Sequence, residues 1–238
     1  MRVLVFQHVN IEHPGIFRDF FDADGVRWDA ISLDEGEAIP SFADYDLLWV
    51  MGGPMDTFEE DAHPWLVAEK EAIREAVTLR GLPFIGFCLG HQLLADALGG
   101  KVGRMETPEV GIMDVELTAD GQSDPLYAGA AAHANYFQWH SCGVLGLPEG
   151  GVGLARSPAC EIQALRVGES AYGIQYHVEL TPTTVTDWAA VPAYAEALDS
   201  AMGEGALERL DADAAARMPE FNREARRLYD QIMAIARA

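Results

Sequence analysis

The chain has 238 residues, 49% hydrophobic and 23% charged, which excludes general disorder and is enough for one sizeable core. Acidic residues outnumber basic ones by 38 to 16, and the net charge of −22 disfavours nucleic acid and anionic membrane as partners, because such a surface repels phosphates. Three cysteines are too few for a disulfide framework, and no apolar segment of about 18 residues occurs. We therefore expect a cytoplasmic protein that neither spans a membrane nor is exported.

Three short apolar runs, at residues 3–6, 47–51 and 83–87, are typical of strands that are buried on both faces. Between the second and third runs, residues 63–80 have a helical apolar stripe, with Pro64 suited to the first helical position and Gly81 to the end of the helix. This order predicts a right-handed βαβ unit in a parallel sheet.

The third run leads directly into Gly86-Phe-Cys88-Leu-Gly90, and residues 92–98 then read as a helix that ends at Gly99. Glycines two residues on either side of a nucleophile permit the strained strand-to-helix turn called a nucleophile elbow. At a helix amino terminus the Cys88 thiolate is favoured, so the pattern predicts a reactive cysteine and not an inert core cysteine. The spacing Cys88-x-x-His91 supplies only two ligands, and no metal site is predicted.

The second half predicts shorter strands and then helices. Residues 110–118, 136–140, 151–156, 162–167 and 171–177 are strand candidates separated by turn residues. After Glu179 the pattern becomes helical, with Pro182 near a helix start. A stripe in the last helix predicts docking onto the domain; its members are Phe221, Ala225, Leu228, Ile232 and Ile235.

Together these elements predict an α/β fold of three α/β/α layers with a mostly parallel central sheet, an antiparallel edge portion and C-terminal helices. We interpret residues 1–238 as a single domain, with a catalytic region at about 1–180 and a helical extension at about 181–238.

Three motifs resemble those of the class I (triad) glutamine amidotransferases. The segment 86–92 is similar to their nucleophile motif, Met-Gly-Gly-Pro-Met-Asp at 51–56 to their oxyanion loop, and Gly-Ile-Gln-Tyr-His-Val-Glu at 173–179 to the motif of their base and acid. The motifs occur in the family's order within residues 1–180. The length and helical extension make the chain look like stand-alone proteins related to the glutaminase domain of GMP synthetase.

Under this resemblance the residues have distinct roles. Cys88 attacks the glutamine carboxamide, His177 transfers the proton, and Glu179, two residues further along a strand and so on the same face, orients the imidazole. The tetrahedral oxyanion needs donors already in place, and the backbone N–H groups of Leu89 and Gly53 are the candidates for this oxyanion hole.

The resemblance also implies substrate contacts from Gly52, Pro54, Gln92, His140 and Ser141. Cys142 departs from the family pattern, in which an Asp commonly follows the His-Ser pair. We interpret Cys142 and Cys160 as structural.

The leading functional hypothesis is a cysteine hydrolase that releases ammonia from the glutamine side chain through a glutamyl thioester, without cofactor or metal. Gly99-Gly-Lys101 is followed by Val102, so no P-loop is present. The partners are L-glutamine or a γ-glutamyl compound and, for the ammonia, a separate synthase subunit. A γ-glutamyl peptidase with the same triad is one alternative, and a non-catalytic or partner-activated regulatory protein is another.

Overall fold

Nine strands form one mixed sheet in the order β2-β1-β3-β4-β9-β8-β7-β5-β6, in a computed structural model that describes all 238 residues. The first five strands in this order pair in parallel, and the remaining pairings are antiparallel. The mostly parallel centre and the antiparallel edge confirm the predicted fold class.

The strands and helices have the following bounds. The strands are β1 Arg2–Gln7, β2 Arg27–Ser32, β3 Leu47–Val50, β4 Phe84–Phe87, β5 Lys101–Leu117, β6 His133–Gly146, β7 Gly151–Arg156, β8 Ala164–Val167 and β9 Ala171–Ile174. The helices are α1 Phe17–Ala23, α2 Trp65–Arg74, α3 Leu89–Ala97, α4 Ala119–Ser123, α5 Thr184–Ala189, α6 Pro192–Met202 and α7 Ala206–Ile235.

The three apolar runs form strands of the parallel sheet, as predicted. Alternate residues of each run belong to different hydrophobic clusters: Val3 and Val5 pack with α1 and α7, whereas Leu4 and Phe6 pack with α2 and α3. Side chains alternate across a strand, so a sheet covered on both faces requires an unbroken apolar run.

Two predicted boundaries in the antiparallel part are wrong. The fifth strand begins at Lys101 and not at residue 110, and the sixth covers His133–Gly146 and not only 136–140. The extra residues form a long β5–β6 ribbon whose register shifts between Arg104 and Glu109. The first half of β5 is largely exposed and contains Pro108, so it lacks the apolar alternation that marks a strand.

The predicted helix at 63–80 is shorter and less regular than expected. Helix α2 ends at Arg74 and continues as one π-helical turn, Glu75–Leu79. In that turn the Thr78 hydroxyl donates to the Arg74 carbonyl oxygen at 2.7 Å. A hydroxyl that competes for a helical carbonyl is a local effect that the apolar stripe does not reveal.

The C-terminal helices belong to the same packed body as the sheet. Four of the five predicted stripe residues of α7 are buried, and three of them, Ala225, Leu228 and Ile232, lie in the cluster that includes β1 and β3. Pro182 lies two residues before the first residue of α5. No helix combines the length and the apolar character needed to cross a bilayer.

Candidate active site

Cys88 lies in the sharp turn between β4 and α3, with φ 48° and ψ −102°. A Cβ on Gly86 would overlap the Gly90 carbonyl, and a Cβ on Gly90 would overlap the Val50 carbonyl, so both positions require glycine. Helix α3 begins at Leu89, three residues earlier than predicted. The Cys88 sulfur is therefore at the amino terminus of the helix, as the elbow pattern indicates.

His177 and Glu179 lie beyond the carboxyl end of β9, which stops at Ile174, so the prediction that they share a strand is wrong. The His177 backbone N–H instead donates to the Phe137 carbonyl of β6 at 2.8 Å. His177 Nδ1 lies 2.6 Å from Glu179 Oε1, and the Val178 N–H donates to Glu179 Oε2 at 2.9 Å. The carboxylate is thereby folded back onto the imidazole without a regular strand.

The Cys88 thiol contacts the His177 imidazole, and both groups are buried. Burial opposes the imidazolium, but Glu179 and the thiol outweigh it and raise the pKa of His177 well above its usual range. Burial also raises the pKa of Cys88, and the neighbouring imidazole counteracts part of this effect. Glu179 therefore stabilises a positive charge on His177, whereas burial of Cys88 opposes a negative charge on its sulfur.

Two buried neighbours of His177, Trp188 and Glu12, could not be predicted from the sequence. The Trp188 ring of α5 meets the imidazole edge to face, with centroids 4.6 Å apart, and the Trp188 indole donates to the Ile11 carbonyl at 3.4 Å. Nearby, Glu12 is fully buried, and burial raises its pKa to about 7. Tyr194 of α6 donates to Glu12, so two helices of the extension reach the site.

The loop after β3 brings Gly52, Gly53 and Pro54 next to the elbow. The Gly90 N–H donates to the Met51 carbonyl at 3.1 Å, which ties the start of α3 to this loop. The backbone N–H groups of Gly53 and Leu89 have no hydrogen-bond partner within the chain. Two unpaired donors are thus available on residues that line the same cavity as Cys88.

A cavity of about 930 Å³ opens over Cys88. Of the residues predicted for the site, those that line it are Cys88, Gly53, Leu89, Pro54, Gln92, His140 and Ser141. Gly52 does not line the cavity, and a Cβ on it would overlap the Glu12 carboxyl. His177 and Glu179 lie behind the Cys88 sulfur and outside the cavity wall.

Two of the residues predicted to contact substrate, Gln92 and His140, also form hydrogen bonds within the protein. The Gln92 amide donates to the Cys142 carbonyl and to Gln175 Oε1, each at 3.0 Å. His140 Nδ1 donates to the same Cys142 carbonyl at 2.8 Å. These bonds fix the strand segment that forms one wall of the cavity.

The other two cysteines differ in position. Cys142 lies in the cavity wall beside Asp56, and burial together with that carboxylate raises its pKa to about 12. Cys160 is buried away from the cavity, where burial raises its pKa to about 11. All three cysteines are free thiols.

The far wall of the cavity comes from the extension and the β5–β6 ribbon. Helix α6 contributes mostly small side chains, among them Ala193, Ala197, Ser200 and Ala201. The lining also includes the ion pair of the exposed Arg104 with Asp56, at 2.9 Å. The space beyond Cys88 is therefore wide, with charged side chains in its lining.

Residues 19–188 match the family model described as glutamine amidotransferase class-I. The chain belongs to this family. It is 35% identical over 191 residues to the glutamine amidotransferase-like protein YfeJ of Salmonella typhimurium, with 78% of each chain covered. It is 32% identical over 178 residues to one subunit of the glutamine-hydrolysing GMP synthase of Halobacterium salinarum, with 74% of this chain and 86% of that one covered.

Two further comparisons extend the similarity. Gamma-glutamyl peptidase 3 of Arabidopsis thaliana is 28% identical over 171 residues, which cover 69% of this chain and 67% of the peptidase. The crystal structure of a glutamine amidotransferase from Thermotoga maritima superposes with a TM-score of 0.87 at 28% identity, over 100% of this chain and 99% of the other. The second match includes the C-terminal helices as well as the sheet.

Proposed function

We propose that the protein hydrolyses the side-chain amide of glutamine to glutamate and ammonia, with Cys88 as nucleophile, His177 as base and Glu179 as the residue that orients the base. The observation that carries this proposal is the chain of contacts from the Cys88 thiol through His177 to Glu179, beside two unpaired backbone N–H groups. A nucleophile, a base and an orienting acid in hydrogen-bonded series are the arrangement needed for acyl transfer.

The reaction proceeds in two halves. The proton of the Cys88 sulfur moves to Nε2 of His177, and the sulfur forms a bond to the amide carbon of glutamine while the carbonyl π electrons move to oxygen. The N–H groups of Gly53 and Leu89 stabilise this oxyanion. The oxyanion then collapses, the C–N bond breaks, and the nitrogen takes the proton from His177 and leaves as ammonia.

Water completes the cycle. His177 takes a proton from water, and the resulting hydroxide oxygen bonds to the thioester carbon while the carbonyl π electrons move to oxygen. The oxyanion then collapses, the C–S bond breaks, and the sulfur takes the proton back from His177 as glutamate leaves. Burial of Glu179 against His177 Nδ1 keeps Nε2 directed at the sulfur in both halves.

A separate synthase subunit is the proposed recipient of the ammonia. The GMP synthase relative is itself only one subunit of its enzyme, and the chain matches 86% of that protein's length. Residues 181–238 form helices that pack on the sheet, so this part of the chain supplies no unit that could accept the ammonia.

A γ-glutamyl peptidase is the second candidate function, and the width of the cavity favours it. A volume of about 930 Å³ is far more than glutamine fills, and the small side chains of α6 leave room for a peptide on the leaving-group side. The similarity to the Arabidopsis peptidase supports the same alternative. Both candidates pass through the same γ-glutamyl thioester.

The test is glutamate release from L-glutamine and, in parallel, from a γ-glutamyl dipeptide. Cys88→Ala is expected to abolish release, and Cys160→Ala, a substitution at a buried cysteine outside the cavity, is the matched control and should retain it. A preference for glutamine supports ammonia production, and a preference for the dipeptide supports the peptidase.

The outcome with neither substrate turned over is also informative. Selective alkylation of Cys88 by a glutamine-like electrophile would then indicate a poised enzyme that a partner activates, the third hypothesis. Full activity of Cys88→Ala would overturn the mechanism.

A further inference from the structure

The peptide bond between Gly52 and Gly53 has an orientation that the proposed chemistry depends on. In a trans peptide the carbonyl of one residue and the N–H of the next point in opposite directions. The Gly53 N–H can therefore face the Cys88 side only while the Gly52 carbonyl points away from it. Two adjacent glycines have little intrinsic preference for one orientation, so something else must fix it.

His8 is placed to fix it. It follows β1 directly, is fully buried, and its Nδ1 lies 2.7 Å from the Gly52 carbonyl oxygen. A carbonyl oxygen only accepts, so Nδ1 must carry the hydrogen and donate it. Neither His8 nor Gly52 lines the cavity, so His8 holds the Gly52 carbonyl outside it.

Glu69 of α2 holds the other ring nitrogen. Its Oε1 lies 2.9 Å from His8 Nε2, and the side chains of both residues are completely inaccessible to solvent. The Glu69 charge outweighs burial and raises the pKa of His8, which keeps Nδ1 protonated. Trp65 stacks on the imidazole, with centroids 5.4 Å apart, and prevents the ring from turning.

We propose that His8, supported by Glu69, is a positioning residue that keeps the Gly53 N–H turned toward Cys88 and so maintains the oxyanion hole. The inference rests on the proposed function, because it assigns a task within the same site. The groups that face His8 from the packed elements are Glu69 from α2, Glu12 from the loop after β1 and the Gly52 carbonyl. None of them can replace the donor at Nδ1, since a carbonyl only accepts and neither carboxyl bonds the Gly52 carbonyl.

The test uses two variants in the same background. Glu69→Gln removes the carboxylate that would otherwise be left buried without a partner. In that background His8→Asn retains an N–H donor close to the position of Nδ1, whereas His8→Leu has nearly the same size and no donor. The pair therefore differs in the hydrogen bond to Gly52 and little else.

With the substrate that the wild type turns over, H8L/E69Q is expected to lose about 100-fold in kcat with KM within about threefold. H8N/E69Q should stay within about tenfold of the wild type. Alkylation of Cys88 by iodoacetamide, which needs no oxyanion hole, should proceed equally in both variants. Equal kcat values for the two variants, or a parallel loss of alkylation in H8L/E69Q, would overturn the proposal.

Structure and spectroscopy separate this inference from the proposed function. If the wild type turns over neither glutamine nor the dipeptide, no kcat values can be compared, but crystal structures of the two variants still report the orientation of the Gly52–Gly53 peptide. We expect it to be retained in H8N/E69Q and reversed or disordered in H8L/E69Q. If H8L/E69Q does not fold, nitrogen-15 NMR of the wild type decides: a protonated His8 Nδ1 at neutral pH supports the role, and an unprotonated one refutes it.

Discussion

Cys88 is the one residue other than glycine that has a positive φ, and its strain is imposed by its neighbours. Gly86 and Gly90 approach other backbone atoms so closely that a methyl group on either would overlap a carbonyl oxygen. The conformation of Cys88 is therefore encoded by the two glycines and not by the cysteine.

Replacing Gly90 by Ala tests how closely the backbones of Gly90 and Val50 are packed. The new Cβ would overlap the Val50 carbonyl, and neither backbone can move without shifting β3 or α3, so the free energy of unfolding should fall by about 1–3 kcal/mol. Gly153→Ala is the control, because its Cβ would meet only Leu147 at 3.9 Å. Urea unfolding of the two variants measures the difference. Equal stability of the two variants would show that the backbone around Cys88 shifts at little cost to accommodate the added methyl group.

The buried carboxyl of Glu12 makes stability depend on pH. Its pKa is about 7 in the folded protein against 4.5 for the ordinary group, so the folded state binds the extra proton and the wild type loses stability as the pH rises through this window. Glu12→Gln removes that loss and still accepts from Tyr194. The free energy of unfolding of the variant, relative to that of the wild type, should therefore rise by about 3 kcal/mol as the pH is raised from 4 to 8.

The measurement is urea unfolding of both proteins at pH values from 4 to 8, with the exposed Glu35→Gln as control. Glu12→Gln should be no more stable than the wild type near pH 4, and the difference in free energy of unfolding should reach its full value above pH 7. An advantage that does not change with pH would mean that Glu12 titrates normally and that burial has no effect on its proton.

The candidate site residues predicted from the sequence lie in short motifs, whereas contacts between distant parts of the chain were missed. Cys88 with its glycines, and His177 with Glu179, are local patterns whose side chains meet in the structure. His8 and Glu69 are 61 positions apart, and their contact exists only because β1 and α2 converge. No spacing rule reports such a pair, and the sequence left His8 without a role.

At the scale of elements, prediction succeeded where burial is uniform and failed where it is partial. The central parallel strands β1, β3 and β4 are buried on both faces, so their apolar runs predicted their positions within a residue or two. The parallel edge strand β2 is partly exposed, has no such run and was not predicted. The outer half of the β5–β6 ribbon is exposed, and its pairing depends on backbone hydrogen bonds that leave no apolar pattern. The predicted end of β9 was wrong for a similar reason. Beyond Ile174 a backbone N–H, and not strand pairing, holds Glu179 in place, and such a bond leaves no apolar pattern.

Helix α7 contains an interior proline, and the stability that this proline costs the protein can be measured. Pro219 lies on the exposed side of the 30-residue helix and cannot donate to the carbonyl four residues earlier. Pro219→Ala restores that donor and should raise the free energy of unfolding by about 1–3 kcal/mol. Thermal unfolding measures it, with the exposed Ala212→Ser as a control that leaves the hydrogen-bond ladder unchanged. No gain would mean that the helix bends at Pro219 and leaves the carbonyl to water.

At the scale of the whole molecule, the extension and the sheet share their cores. The third hydrophobic cluster has twelve members, of which the following eight come from beyond residue 180: Val185, Trp188, Tyr194, Leu198, Ala206, Leu210, Ala214 and Phe221. Helix α7 adds five more to the largest cluster: Ala225, Leu228, Tyr229, Ile232 and Met233. Residue 180 therefore marks the end of the sequence motifs, but the hydrophobic packing continues across it.

Truncation after Leu180 should consequently leave a chain that does not fold cooperatively. Each large buried side chain that is lost costs about 2–5 kcal/mol, and the sum exceeds the total stability of about 5–15 kcal/mol that a domain has. The expected result is loss of the near-ultraviolet circular dichroism signal and of a sharp thermal transition in residues 1–180. Co-expression with residues 181–238 as a separate chain should restore both, because the same surfaces are then covered again. A sharp transition of residues 1–180 alone would instead show that the sheet folds by itself and that the extension is a second unit docked on it.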